Sequence, residues 1–194
     1  MRLSKSQSKS VLSFLLMVIF LAACTAESSS TLPLEEYTDP ASRSSFAIPQ
    51  GWQVTELPEE SVLTFTPADY SGEITELRVL LFAAETNTFD TQEHLDQANA
   101  LLQPFLTKYL DETYQVINQG ETEVAKSPAV LLDFAKPYAD LYLEGRLVMV
   151  AMPGYVLAFL GMGESEAWED FLPTFRAMLK EFQLLPLSED TPTP

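Results

Sequence analysis

Ser45-Phe46-Ala47-Ile48-Pro49-Gln50-Gly51-Trp52-Gln53-Val54-Thr55 is the stretch on which the fold turns. Apolar residues alternate with small or polar ones up to Ile48, Pro49-Gln50-Gly51 interrupts the run, and Trp52 and Val54 resume it. This predicts a strand, a turn and a second strand. Val62-Leu63-Thr64-Phe65-Thr66 and Ile74 to Phe82 repeat the pattern on either side of Pro67-Ala68-Asp69-Tyr70-Ser71-Gly72, which has the composition of a turn. Connections this short favour antiparallel pairing.

Downstream the period changes. From Thr91 to Tyr109, Leu95, Ala98, Leu102, Phe105 and Tyr109 fall on one helical face, with Asp90 and Glu93 placed to cap the start. Pro104 should kink or split this helix. Tyr114 to Asn118 then reads as a strand, Gly120 as a turn and Ala129 to Phe134 as a denser strand. Leu141 to Met152 and Tyr155 to Met162 flank Pro153-Gly154, which suits a type II turn and therefore a hairpin. The last helix starts near Ser165 as N-cap, with Glu166, Glu169 and Asp170 near its positive end and Arg176 and Lys180 near its negative end. Trp168, Phe171, Leu172, Phe175, Leu179 and Phe182 form its buried face. Strands, helix, strands and helix without βαβ alternation or internal repeat give an α+β class, an antiparallel sheet covered by two helices.

Phe46-Ala47-Ile48-Pro49-Gln50-Gly51-Trp52, the mid-chain helix, Ser127-Pro128-Ala129 leading a strand and the closing Trp168, Phe171, Pro173, Phe175, Leu179, Phe182 helix together resemble the Mog1/PsbP-like fold. The likeness spans nearly all of 45–184 and implies an α/β/α sandwich. Members of that family include a photosystem II extrinsic subunit, a Ran-binding protein and many bacterial envelope lipoproteins. The resemblance implies binding or assembly support without catalysis. It carries over no functional residue, and Glu181-Phe182 stands where many relatives have Ser-Phe, so the partner stays open.

The amino-terminal flank supplies an address. Arg2, Lys5 and Lys9 precede an apolar run from Val11 to Leu21. As a helix that run measures roughly 16 Å, too short for a hydrocarbon core of about 30 Å. Leu21-Ala22-Ala23-Cys24 after it resembles the lipobox of bacterial lipoproteins. That resemblance implies cleavage between Ala23 and Cys24, an S-diacylglycerol thioether on Cys24 and an acyl group, typically palmitate, on its new amino terminus. Two or three acyl chains hold a protein to a membrane far more firmly than one. The expected domains are a lipoprotein signal peptide at 1–23, lipidated Cys24 with a flexible tether over 24–44, one α+β domain at 45–186 and a disordered tail at 187–194. A tether of about twenty residues reaches roughly 25 Å.

The chain holds 11 Lys+Arg against 28 Asp+Glu, a net charge of −17. Cleavage would remove Arg2, Lys5 and Lys9 but no acid, taking the charge to −20. Such a surface repels phosphate backbones and anionic headgroups, which argues against nucleic acid as a partner and leaves the lipid anchor as the route to the membrane. Cys24 is the single cysteine, so no intramolecular disulfide is available.

Chemistry-bearing candidates weigh lightly. His94, the single histidine, sits in the first turn of an amphipathic helix, and a zinc site there would need carboxylates for its other ligands. A serine triad would need the same histidine, without a Gly-x-Ser-x-Gly turn. Asp133 to Asp140 lacks the spacing and glycine of a calcium loop and reads as a strand connection. Trp52 reads as core. No catalytic, cofactor-binding or metal residue is assigned. The reading is an exported lipoprotein on the periplasmic or extracellular face of a bacterial membrane, with a non-catalytic domain serving as accessory or assembly factor for a membrane complex. A second reading is small-ligand capture between helix and sheet, motivated by Met149, Met152 and Met162. A third is a carboxylate-dependent hydrolase.

Overall fold

The computed structural model describes residues 31–39, 44–57, 62–73, 75–85, 91–110, 112–152 and 155–184. Two antiparallel sheets and two helices make up this part. Strands β3 (Gln53–Leu57), β4 (Val62–Thr66), β5 (Arg78–Glu85), β6 (Gln115–Val124), β7 (Ser127–Tyr138), β8 (Leu141–Met152) and β9 (Tyr155–Glu164) form the large sheet, in the order β3-β4-β5-β9-β8-β7-β6. Strands β1 (Leu34–Asp39), β2 (Ser44–Pro49) and β10 (Gln183–Leu184) form the small one, with β2 in the middle. Helix α1 (Thr91–Leu110) lies between β5 and β6 in sequence, and α2 (Ser165–Lys180) follows β9.

The strands alternate, and each parity has its own core. Val130, Leu132 and Phe134 of β7, Leu147 and Met149 of β8, and Ala158 and Leu160 of β9 pack with Ala98, Leu102 and Leu106 of α1. Their neighbours Ala129, Val148, Val150, Leu157 and Phe159 pack on the other face with Trp168, Phe171 and Phe175 of α2 and with Phe46 and Ile48 of β2. Side chains two apart along a strand share a face, so one strand feeds both cores. The result is a helix layer on each side of the sheet, the α/β/α sandwich of the α+β reading.

Several expectations need correction. Leu34–Asp39 lies within the segment read as tether, yet it forms β1, in register with β2 from Leu34 opposite Pro49 to Asp39 opposite Ser44. Tyr37 stacks on Phe46 with ring centroids 5.5 Å apart, so apolar contact holds an otherwise acidic strand in place. Gly120 is no turn: β6 continues through it to Val124, and the reversal falls at Ala125-Lys126, both in the left-handed region with φ of 50° and 64°. Asp133 to Tyr138 belongs to β7, and only Ala139-Asp140 connects it to β8. Strand β5 starts at Arg78 because Thr75 and Glu76 are taken up by a turn, where Glu76 N–H donates to Glu73 O. Ser165 does not cap α2. The N-cap position is Glu164, without a side-chain bond, while Ser165 Oγ donates to Glu144. Helix α1 runs through Pro104 unbroken. The β8–β9 hairpin pairs Met152 with Tyr155, and its Pro153-Gly154 turn lies outside the described residues, as do Asp90 and the 187–194 tail.

Candidate binding groove

Helix α2 packs mainly on β2, β8 and β9, so that among the described residues no helix lies mainly over the outer part of that sheet face, on β6 and β7. Beside the helix lies an open groove of about 830 Å³. Leu131 of β7 forms its floor, beside the buried Val148 of β8, since odd positions of β7 and even positions of β8 face this side. One wall is the carboxyl-terminal half of α2 and its exit, with Arg176, Leu179, Lys180, Phe182 and Gln183. The other is the end of β6 and its turn, Thr122 to Lys126.

The charge of this groove opposes that of the chain. Of Arg78, Lys108, Lys126, Lys136, Arg146, Arg176 and Lys180, the basic residues after position 43, four line it, against Glu123 alone among acids. Arg146 is already committed: its Nε and Nη2 donate to Asp133 at 2.5 and 2.9 Å, and Asn118 Nδ2 donates to the same carboxylate at 3.2 Å. Arg176, Lys180 and Lys126 are exposed, and among the described residues none of them has an ion pair or side-chain hydrogen bond. A groove with an apolar floor and uncommitted cations at its rim suits an anionic guest with apolar side chains.

Toward the other end of the same strands several large apolar side chains are singly exposed. Ile117 sits at an irregularity in the β6–β7 pairing and is 60% exposed, and Tyr142, also 60% exposed, lies on the face that carries Arg146 and Val148. Val116, which pairs with Phe134, and Tyr138 and Leu141, which pair with each other, are exposed on the opposite, α1 face.

The residues singled out from sequence are scattered relative to this groove. Trp52 is half-buried and stacked on Phe171, centroids 5.0 Å apart and planes 12° from parallel, on the α2 side of the core. Met149 and Met162 are buried between α1 and the sheet, so side chains fill the place imagined for a ligand. The Met152 side chain, the His94 side chain, Cys24 and the Ala23–Cys24 bond lie outside the described residues. Glu76 accepts from the hydroxyl and N–H of Ser71, and the hydroxyl bond above all holds its carboxyl below the ordinary value, the opposite of what a general acid requires. No group of metal-ligating side chains occurs among the described residues, and no helix there is long and apolar enough to cross a membrane. The groove itself escaped the sequence reading because its cations come from a turn, a strand and a helix. Arg176 and Lys180, one turn apart, were its single local signal, and they also fit a helix dipole.

No protein-family model matches the chain, and no curated protein matches it in sequence. Solved structures do. Cyanobacterial PsbP from Synechocystis sp. PCC 6803 superimposes with a TM-score of 0.60 at 13% identity, covering 84% of this chain and 99% of its own. The Ran-binding protein Mog1p of Saccharomyces cerevisiae gives 0.60 at 6% identity over 80% of this chain and 97% of its own. LpqN of Mycobacterium tuberculosis, described as involved in cell envelope biogenesis, gives 0.57 at 12% over 79% and 91%. The chain has the Mog1/PsbP-like fold, and at these identities the likeness extends to the fold alone.

Proposed function

We propose that this chain is an exported cell-envelope lipoprotein, anchored through Cys24, whose domain acts without catalysis by binding a protein, as an accessory or assembly factor for a membrane complex. The observation that carries the binding role is the groove beside α2, apolar at its floor and basic at its rim on a chain of net charge −17. Exposed Ile117 and Tyr142 add apolar surface on the neighbouring strands. That one Mog1/PsbP-like structure belongs to a Ran-binding protein and another to a protein of envelope biogenesis supports a binding domain in an envelope setting. The anchor rests on the signal-like run and Leu21-Ala22-Ala23-Cys24.

Crosslinking in intact cells followed by mass spectrometry tests the partner role. Recovery of one membrane complex is expected, and recovery of nothing above background overturns it. Mass spectrometry of the mature amino terminus tests the anchor: diacylglyceryl and acyl groups on Cys24 are expected, and a free Cys24 or another cleavage site overturns that part. The volume of about 830 Å³ also favours a second reading, capture of a small ligand, since such sites span roughly 300 to 1,000 Å³. Native mass spectrometry of protein purified from its own cells separates the two, because a captured small ligand travels with the protein as a discrete added mass.

A further inference from the structure

We propose that the groove holds an acidic, extended segment of the partner protein, with carboxylates on Arg176, Lys180 and Lys126 and an apolar side chain between them on Leu131. This rests on the protein-binding reading and names the chemistry of the partner. Arg176 and Lys180 are four residues apart on α2, which places them one above the other with roughly 6 Å of rise. In an extended chain, side chains two residues apart point the same way at roughly 6.6 Å, so an acid-x-acid segment matches the helix pair in spacing. Lys126, held out on the β6–β7 turn across the groove, meets the segment from the opposite wall.

Charge and shape select this guest over other anions. At physiological salt, screening confines attraction to about 8 Å, so a short segment lying in the groove responds to the local cations and hardly to the acidic remainder. A nucleic acid duplex or an anionic bilayer is larger than the groove and would press against that remainder. A bare phosphate would leave the apolar floor at Leu131 unused.

The test uses the full chain in non-ionic detergent and a short fluorescent peptide alternating glutamate with leucine, measured by anisotropy. A peptide alternating lysine with leucine and vesicles containing phosphatidylglycerol serve as comparisons. Binding of the glutamate peptide is expected, weakening steeply with added salt and by about tenfold or more in Arg176→Glu/Lys180→Glu. Lys108→Glu, on α1 across the sheet, should leave it unchanged. Arg176→Gln/Lys180→Gln, checked for folding by circular dichroism, repeats the measurement without introducing new charge. Equal binding of the lysine peptide, no binding of the glutamate peptide, persistence in both double variants, or displacement of the peptide by the vesicles each overturns the proposal. Partner crosslinks that persist in the double variants overturn it as well, while leaving the protein-binding reading in place.

Discussion

Gly161 of β9 lies directly beneath the indole of Trp168 on α2: a methyl group on its Cα would stand 2.7 Å from both Cη2 and Cζ3 of that ring, and 2.9 Å from Cδ2 of Phe175. The helix can approach the sheet this closely because the strand is bare there. On the other face Gly145, one strand over, does the same for Phe134, whose Cζ would be 2.5 Å from an added methyl group. The two glycines let an aromatic ring settle on each face of the β8–β9 pair.

Gly161→Ala should therefore lower stability by about 1–3 kcal/mol, the usual range for overpacking a filled core. Urea unfolding measures it. Combined with Trp168→Leu, which removes the ring that the methyl group meets, the loss should fall short of the sum of the single losses. Additive losses would mean that the ring and the strand do not compete for this space.

Where period 2 or 3.6 was displayed, the fold was legible. Phe46 and Ile48, the run around Val148, and the Trp168 to Phe182 face identified strands, hairpin and closing helix because burial repeats with the geometry of the element. Strand β1 was not legible, since its half-buried residues, Leu34 and Tyr37, are three apart and the acids beside them read as solvated chain. The β6–β7 reversal was missed for another reason: Gly120 offered a turn residue within the strand, whereas the real turn uses Ala125-Lys126, which advertise nothing. Groove cations gathered from 126, 146, 176 and 180 become neighbours only through β6–β7–β8 pairing and the placement of α2.

The Ala125-Lys126 turn joins Val124 to Ser127 with two residues at positive φ, the geometry of a type I′ hairpin that normally employs Asn-Gly. Side-chain-bearing residues cost about 1–2 kcal/mol each in that region. Ala125→Asn with Lys126→Gly should raise the thermal midpoint, with about 1–2 kcal/mol of stabilisation, more from the glycine than from the asparagine. The same variant should bind the glutamate peptide more weakly, having lost one rim cation. A variant no more stable than the parent would refute the strain assigned to this turn.

Lys136 is 7% exposed, on the α1 side of β7, and its Nζ donates to Leu110 O at the end of α1 at 2.6 Å. A cation there meets the negative end of the helix dipole and satisfies a carbonyl with no partner in the helix. Lys136→Met keeps the bulk but not the donor and should cost about 1–3 kcal/mol. Amide hydrogen exchange should quicken first in the last turn of α1, and unchanged protection there would count against the assignment.

The Glu76 carboxylate gives the loop before β5 an acid limit. Its acidity is increased chiefly by the Ser71 hydroxyl, against an opposing effect of burial that comes second, and further by the backbone N–H of Ser71 and of Gly72. Its folded value is depressed, so the contribution of these bonds is present above the unfolded value and is lost as pH falls through the folded one. Following the Ser71 amide by NMR should give a midpoint below that of an ordinary glutamate, and Ser71→Ala should move the midpoint up. A midpoint at the ordinary value in the parent would show that the bonds do not form in solution.

The segment from Leu32 to Asp39 is bound by more than its pairing with β2. Leu32 N–H donates to Thr174 Oγ1 at 2.9 Å, Gln50 N–H to Pro33 O at 2.8 Å, and Tyr37 meets Phe65 edge-on at 6.0 Å besides stacking on Phe46. A chain beginning at 44 exposes Phe46 and loses the half-buried Leu34 and Tyr37, at a cost of about 3 kcal/mol from apolar area. A chain beginning at 31 keeps all three contacts and should unfold at the denaturant concentration of the full chain. Chemical denaturation of the two truncations side by side measures the difference. Equal midpoints would mean that these residues add nothing to the stability of the domain, whereas a lower midpoint only for the shorter chain makes β1 part of it.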